Sequence, residues 1–317
     1  MSFTISTFAF VAAIALVAVA CTHRPAAPPA ATEPVPGVEH GVGTLQVAAD
    51  LALFTQRWRP TGEVRAALVI VHGLRDHSSR YADFAAALTR QGVAVHAYDL
   101  RGHGRSGGER VYIDAFAEHT GDLERVLLDV QRREPGVPVF LLGHSMGGAI
   151  VTTYVRERRP ALAGVILSAA ALKPGADVSP WKIRITRRLA QRHPRLRVLR
   201  LPPRWFSRDP AVVRENRRTD PWIDRRAIPA RTAAELLGAL ERIVAGMEDV
   251  QAPLLILHGT ADRITDPAGS AELHRRAGSA DKTLTRYPGL YHDLLHEPEC
   301  ERVTRDIGEW MLARIAR

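Results

Sequence analysis

Ser145 stands in the stretch Gly143-His144-Ser145-Met146-Gly147, after the apolar run of residues 139–142 and ahead of a helical pattern over 148–156. A serine hydroxyl is a poor nucleophile at neutral pH. It attacks a carbonyl when a base takes its proton and a carboxylate orients that base. A strand, a sharp G-x-S-x-G turn and a helix present such a serine. Glycine is needed at both ends, because side chains at Gly143 or Gly147 would collide with the chain segments that the tight turn draws together. The turn also sets Ser145 over a helix N-terminus, where free N–H groups and the helix dipole stabilise negative charge. The amide of Met146, the residue after the serine, is one donor for an oxyanion. Glycine is about 7% of residues in general, so a five-residue match arises by chance in about one chain of this length in ten. The partner residues therefore decide.

Among the acids and histidines downstream, two acids and three histidines are candidate partners. Asp262 follows the apolar run of residues 254–258 and the turn Gly259-Thr260-Ala261, which puts it at the end of a strand. Asp266 precedes Pro267 and reads as a helix N-cap. His292 lies in a loop after a strand, in Tyr287-Pro288-Gly289-Leu290-Tyr291-His292-Asp293. His296 reads as part of a following helix, and His258 as inside a strand.

These residues need a framework. The strand-like runs are Ala66–Val71, Val93–Tyr98 and residues 139–142, 164–169, 254–258 and 283–287; most are apolar throughout, hence buried on both faces. Helical stretches at 80–91, 115–133 and 299–316 alternate with them, which predicts a mostly parallel sheet covered on both sides. Residues 44–48 and 51–58 alternate as a hairpin. With 317 residues, 46% of them hydrophobic, the chain can bury a large core. Only Cys21 and Cys300 are cysteines, which excludes a disulfide framework and a cysteine-rich metal site.

The net charge of +9 is unevenly placed: residues 182–218 hold thirteen basic and two acidic residues, a local +11. They fall in a proline- and tryptophan-bearing stretch, 172–229, that interrupts the alternation and reads as a cap over the site. The expected organisation is an export signal over 1–21, a Pro/Ala-rich tether over 22–42, a core of 43–171 and 230–317, and the inserted cap. Residues 8–20 are thirteen apolar residues, too few for a membrane span of about 20. Ala18-Val19-Ala20-Cys21 resembles a bacterial lipobox, although residues 1–20 lack the usual Lys or Arg; Cys21 is the expected lipidation site, with outer-membrane anchoring favoured.

The chain resembles an α/β-hydrolase of the monoacylglycerol lipase and lysophospholipase-like family over about residues 44–314. The resemblance rests on motifs in the family's order: His72-Gly73 with His77-Ser78-Ser79-Arg80-Tyr81 behind it, Asp99-x-Arg101-Gly102-His103-Gly104-x-Ser106, Gly143 to Gly148, Ser207-Arg208-Asp209-Pro210, Gly259-x-x-Asp262 and Tyr291-His292. It implies the α/β-hydrolase fold with a helical cap, and a triad of Ser145, Asp262 and His292 in the order Ser, acid, His. It also places Leu74 as the second oxyanion donor. The Asp99–Ser106 turn is expected to be structural. The cap is far more arginine-rich than the resemblance leads one to expect. No metal or organic cofactor is implied.

The expected activity is hydrolysis of carboxylic esters of amphiphilic lipids such as monoacylglycerols or lysophospholipids. The alternatives are an acyltransferase using the same triad and a non-catalytic lipid-binding lipoprotein. The cap's apolar residues interleaved with arginines offer a surface for anionic membranes. With few aromatics spaced for stacking, nucleic-acid binding is not expected.

Overall fold

The computed structural model describes residues 35–174 and 178–315. The expected signal, Cys21 and most of the tether fall outside them.

Eight strands form one sheet in the order β1-β2-β4-β3-β5-β6-β9-β10: β1 (Val38–Ala48), β2 (Leu51–Pro60), β3 (Ala66–Val71), β4 (Val93–Tyr98), β5 (Val139–His144), β6 (Gly164–Ser168), β9 (Leu254–Gly259) and β10 (Lys282–Tyr287). The hairpin β1–β2 and the β2–β4 pair are antiparallel, and every other neighbour is parallel. The buried strands β3, β4, β5, β6 and β9 coincide with runs read from the sequence as strands, most of them apolar. β1 begins at Val38, inside the stretch read as tether. It is an edge strand with mostly exposed or half-buried residues, so no apolar pattern announces it.

Two layers of helices cover the sheet. α1 (Ala82–Thr89) and α8 (Cys300–Ile315) bury Phe84, Leu88, Val303, Ile307 and Met311 on one face. α2 (Ala117–Arg133), α3 (Met146–Arg158) and α6 (Ala230–Ala245) cover the other with Leu123, Val126, Ile150, Leu240 and Ile243. α7 (Pro267–Arg276) is capped by Asp266, whose side chain accepts from the Ala268 amide, as its position before Pro267 predicts. Among the described residues no helix is long and apolar enough to cross a membrane.

Between β6 and α6 the chain leaves the sheet. The inserted segment contains α4 (Pro180–Arg192), the short strand β7 (Arg197–Leu199), α5 (Pro210–Arg214), a wide helical turn over Glu215–Thr219, and β8 (Ile228–Pro229), which pairs antiparallel with β7. α4 turns Ile183, Thr186, Leu189 and Ala190 inward and leaves Trp181 and Ile185 60% and 47% exposed.

Candidate active site

Ser145 sits in the turn between β5 and α3. Its backbone adopts φ 53°, ψ −119°, the left-handed side of the map, at a cost of about 1–3 kcal/mol for a residue with a side chain. The turn is held from both sides: the Ser145 amide donates to the Ser168 carbonyl at 3.1 Å and its carbonyl accepts from the Ala171 amide at 2.9 Å. A Cβ on Gly143 would lie 2.5 Å from the Gly147 carbonyl oxygen, and one on Gly147 would overlap the Val71 carbonyl. The strain therefore falls on Ser145 itself, and the flanking glycines are required by close approach.

His292 Nε2 lies 2.8 Å from Ser145 Oγ, and His292 Nδ1 lies 2.7 Å from Asp262 Oδ2. The structure thus brings together the three residues predicted from the sequence, with His292 fully buried. Asp262 takes further donors. Its Oδ1 accepts from the Ile264 and Thr265 amides at 2.7 and 3.1 Å, and its Oδ2 accepts from Thr265 Oγ1 at 2.8 Å. Burial alone would raise this carboxyl; the charge of His292 and hydrogen bonds from His258 and His292 override it and hold it well below the usual carboxylate range.

His258, weighed in the sequence as an alternative base, occupies the other side of the same acid. Its Nε2 is 3.1 Å from Asp262 Oδ2 and its Nδ1 2.7 Å from Ser270 Oγ. Since the ionised carboxylate only accepts, His258 donates from Nε2 and Ser270 donates to Nδ1. The other alternative, His296, lies in a single turn over Leu294–His296 rather than in a longer helix; its Nδ1 is 2.7 Å from Asp293 Oδ1 and its Nε2 2.8 Å from the Arg80 carbonyl oxygen.

Leu74 lines the cleft beside Ser145, on a loop so close that a Cβ on Gly73 would sit 3.2 Å from Ser145 Cβ. His72 holds this loop. Its Nε2 accepts from the Leu100 amide at 2.9 Å, so its Nδ1 carries the proton and donates to the Gly73 carbonyl at 2.7 Å. That carbonyl belongs to the same planar trans peptide as the Leu74 N–H, which is thereby turned away from His72. The sequence marked His72 only as part of a motif. The amide of Met146 opens α3, where first-turn N–H groups have no acceptor within the helix.

His144, immediately before the nucleophile, packs its ring 4.9 Å from that of His292. Burial pushes its pKa down to about 4, against the opposing charge of Asp293. It is neutral at pH 7, so no second cation faces an imidazolium formed on His292. Asp293 fixes the loop: its amide donates to the Phe206 carbonyl at 2.7 Å, and its carboxylate accepts from Arg80 at 2.8 Å and His296 at 2.7 Å. Asp99 has the structural role expected of its turn, accepting from the Ser78 and Arg105 amides at 2.7 Å each. Among the described residues no group of three or more His, Cys, Asp or Glu is gathered to hold a metal.

The cap closes the cleft with Leu201, Pro203, Phe206, Asn216 and Ile223. The Ser207-Arg208-Asp209-Pro210 motif joins it to the histidine loop. Ser207 Oγ donates to the His296 carbonyl and Arg208 Nε to Glu297, each at 2.8 Å, while Asp209 caps α5.

Residues 62–299 match the family described as serine aminopeptidase, S33. The chain is 34% identical to a monoacylglycerol lipase of Mycolicibacterium smegmatis over 275 residues, 87% of this chain and 96% of the relative. It is 35% identical to a monoglyceride lipase of Homo sapiens over 267 residues, 83% and 88% of the two chains. The crystal structure of a Paleococcus ferrophilus monoacylglycerol lipase superposes with a TM-score of 0.74 at 31% identity, covering 83% of this chain and 99% of the other. A soluble variant of the Saccharomyces cerevisiae monoglyceride lipase, solved with a substrate analog, shares the fold with a TM-score of 0.79 at 24% identity over 91% and 99% of the chains. By its motifs, its sheet and these relatives, the chain belongs to the monoacylglycerol-lipase-like α/β-hydrolases and is a serine hydrolase.

Proposed function

We propose that this serine hydrolase cleaves the carboxylic ester of single-chain amphiphilic lipids, monoacylglycerols or lysophospholipids, through an acyl-enzyme on Ser145. The observation that carries the reading is the unbroken path of hydrogen bonds from Ser145 Oγ through His292 to buried Asp262, under a cleft lined by Leu74, Leu201, Phe206 and Ile223. The kinship with monoacylglycerol lipases supports the lipid class.

Ser145 Oγ attacks the ester carbonyl carbon while its proton passes to His292 Nε2. Asp262 holds the imidazole with its proton on Nδ1 and offsets the positive charge. The carbonyl electrons move onto oxygen, where the amides of Leu74 and Met146 stabilise them. On collapse the C–O bond breaks and His292 returns the proton to the departing glycerol oxygen. Water then repeats the sequence on the acyl-enzyme, with His292 again as base, and releases the fatty acid.

The apolar Trp181 and Ile185 on the outside of α4, interspersed with Arg184 and Arg188, fit a helix lying on an anionic lipid surface. Lipidation at Cys21 would keep the enzyme at an envelope membrane, the outer one favoured. Metabolic labelling with a fatty-acid analogue, lost in Cys21→Ala, tests that part.

Fatty-acid release from monooleoylglycerol and from a matched lysophospholipid, by the full chain and its Ser145→Ala variant, tests the function. Release that disappears with Ser145 supports the reading. Cleavage of a short activated ester but of neither lipid would overturn the lipid assignment.

A further inference from the structure

We propose that Arg75 and Asn216, which line the same cleft as Ser145, form a phosphate-recognition subsite that directs the enzyme to single-chain lipid esters whose glycerol carries an anionic phosphate. The inference rests on the ester-hydrolase reading above and names the head group that reading leaves open.

Arg75 directly follows Leu74, on the loop beside the nucleophile. Its φ is +63°, a conformation glycine adopts freely and an arginine only at a cost. The strain is kept together with a long cationic side chain that lines the cleft next to Ser145. The guanidinium is half-buried, yet among the described residues it makes no ion pair. Its Nε donates to the backbone carbonyl of Asp224, and among the described residues Nη1 and Nη2 meet no protein acceptor. Burial lowers its pKa; Asp224 opposes that, and the charges of Arg225, Arg200 and Arg197 add to it. The guanidinium thus lies near three other arginines and Asp224, whose carboxylate is already held by Arg226, and it lines the cleft.

A second observation is independent of the first. Asn216 comes from the cap, is 7% exposed and lines the same cleft, and its Nδ2 has no partner. Arg80 Nε, on the cleft floor, is also without an acceptor. The acids in the lining are already engaged: Asp76 accepts from Arg80, Tyr81 and the His77 amide, and Asp293 from Arg80 and His296. The cleft therefore has spare donors from two guanidiniums and an amide, and guanidiniums offer no acceptor in any rotamer. The complementary ligand is rich in acceptors and negatively charged. A phosphate with its several oxygens meets a planar guanidinium and an amide well. A neutral glycerol hydroxyl accepts one such bond and gains less from the charge than an anionic phosphate does, and a choline cation is disfavoured by it.

The test compares kcat/KM for 1-oleoylglycerol and 1-oleoylglycerol 3-phosphate, each dispersed in neutral detergent micelles, using the full chain. The expected ratio favours the phosphate ester about tenfold or more, as charge-assisted hydrogen bonds provide. Arg75→Gln lowers that ratio by about tenfold and Asn216→Ala by a few-fold. Arg75→Gly, which relieves the backbone while removing the side chain, keeps the test sound if glutamine destabilises the loop. Arg184→Gln/Arg188→Gln on the exposed face of α4 separates recognition in the cleft from attraction to a charged surface, and should leave the ratio in place. A wild-type ratio at or below one, a ratio unmoved by either Arg75 variant, or one lost only in the α4 variant overturns the proposal. So does inorganic phosphate acting through Arg75 on 1-oleoylglycerol cleavage while the ratio between the two esters stays near one, which would mark a free-anion site. Cleavage of neither ester would instead overturn the function on which the proposal rests.

Discussion

The sheet ends that carry the triad and the cap that covers them are built by opposite means. Around Ser145, Asp262 and His292, position is over-determined: five donors converge on one carboxylate, the nucleophile's backbone is pinned on both sides, and no free space remains for a Cβ on Gly143 or Gly147. The described cap buries few large apolar side chains and exposes Trp181, Ile185 and Leu196; it meets the core through Val198, Leu199, Leu201 and Ile228 and through scattered polar links such as Arg208–Glu297, His77–Asp220 and Phe206–Asp293. A site that must hold a transition state within a fraction of an ångström needs the first construction. A cover that admits a long acyl chain and touches lipid can be built in the second way. Changes in the floor should therefore alter kcat by orders of magnitude, and changes in the cap should alter substrate choice and surface binding by small factors.

The largest effect expected, short of removing the nucleophile, is from Asp262→Asn. The amide leaves the shape intact but can donate to His292 Nδ1 and so favour the wrong tautomer; kcat should fall by about 10³–10⁴ in a steady-state ester assay. A loss below tenfold would mean that the floor is less exacting than its geometry.

His258 comes next. His258→Leu removes one of the donors to Asp262 and leaves the Ser270 hydroxyl without its acceptor, so kcat should fall about ten- to a hundredfold with little change in KM. His258→Gln, which can restore an N–H toward Asp262, should recover much of the loss. Equal damage from both variants would assign His258 to packing alone.

A third expectation concerns acid. Burial pushes His144 down to about 4 and His103 down to about 3, against 6.5 in the unfolded chain. Below about pH 6.5 the unfolded chain binds protons that these folded histidines refuse, so stability should decline from there and level off near pH 4 for His144 and near pH 3 for His103. Thermal unfolding at pH 7.5 and pH 5.0 should show a lower midpoint at pH 5.0. Equal midpoints would contradict two neutral, buried histidines under the site.

The smallest effects belong to the cap. Trp181→Ala/Ile185→Ala should weaken binding to anionic vesicles several-fold, measured by co-sedimentation, with cleavage of a soluble short ester held within about twofold. A collapse of short-ester cleavage would show that α4 supports the floor after all.

The same contrast decides what the sequence reveals. The inner strands were legible because runs such as Ala66–Val71 and residues 139–142 are apolar on both faces, and the triad because its members sit near strand ends in a fixed chain order. Asp266 was legible as a cap because it precedes Pro267. β1 was partly missed, since the edge position of Val38–Val42 leaves no apolar period to find. The second histidine on Asp262 was named only as a rival base. Its true position depends on how the Gly259–Asp262 turn folds the acid back beside its own strand. His72 acts through a peptide orientation, and Arg75 through a left-handed backbone and a guanidinium that has no ion pair among the described residues. None of these leaves a signature in residue type or spacing.

The central claim is that Ser145 is a nucleophile because His292 and Asp262 make it one. Labelling of the full chain by a fluorophosphonate, with the modified residue located by mass spectrometry and the rate compared across Ser145→Ala and His292→Ala, tests it most directly. The account predicts a single adduct on Ser145, none in Ser145→Ala, and labelling slowed by about a thousandfold or more in His292→Ala. An adduct elsewhere, or labelling of Ser145 at an unchanged rate without His292, would contradict it.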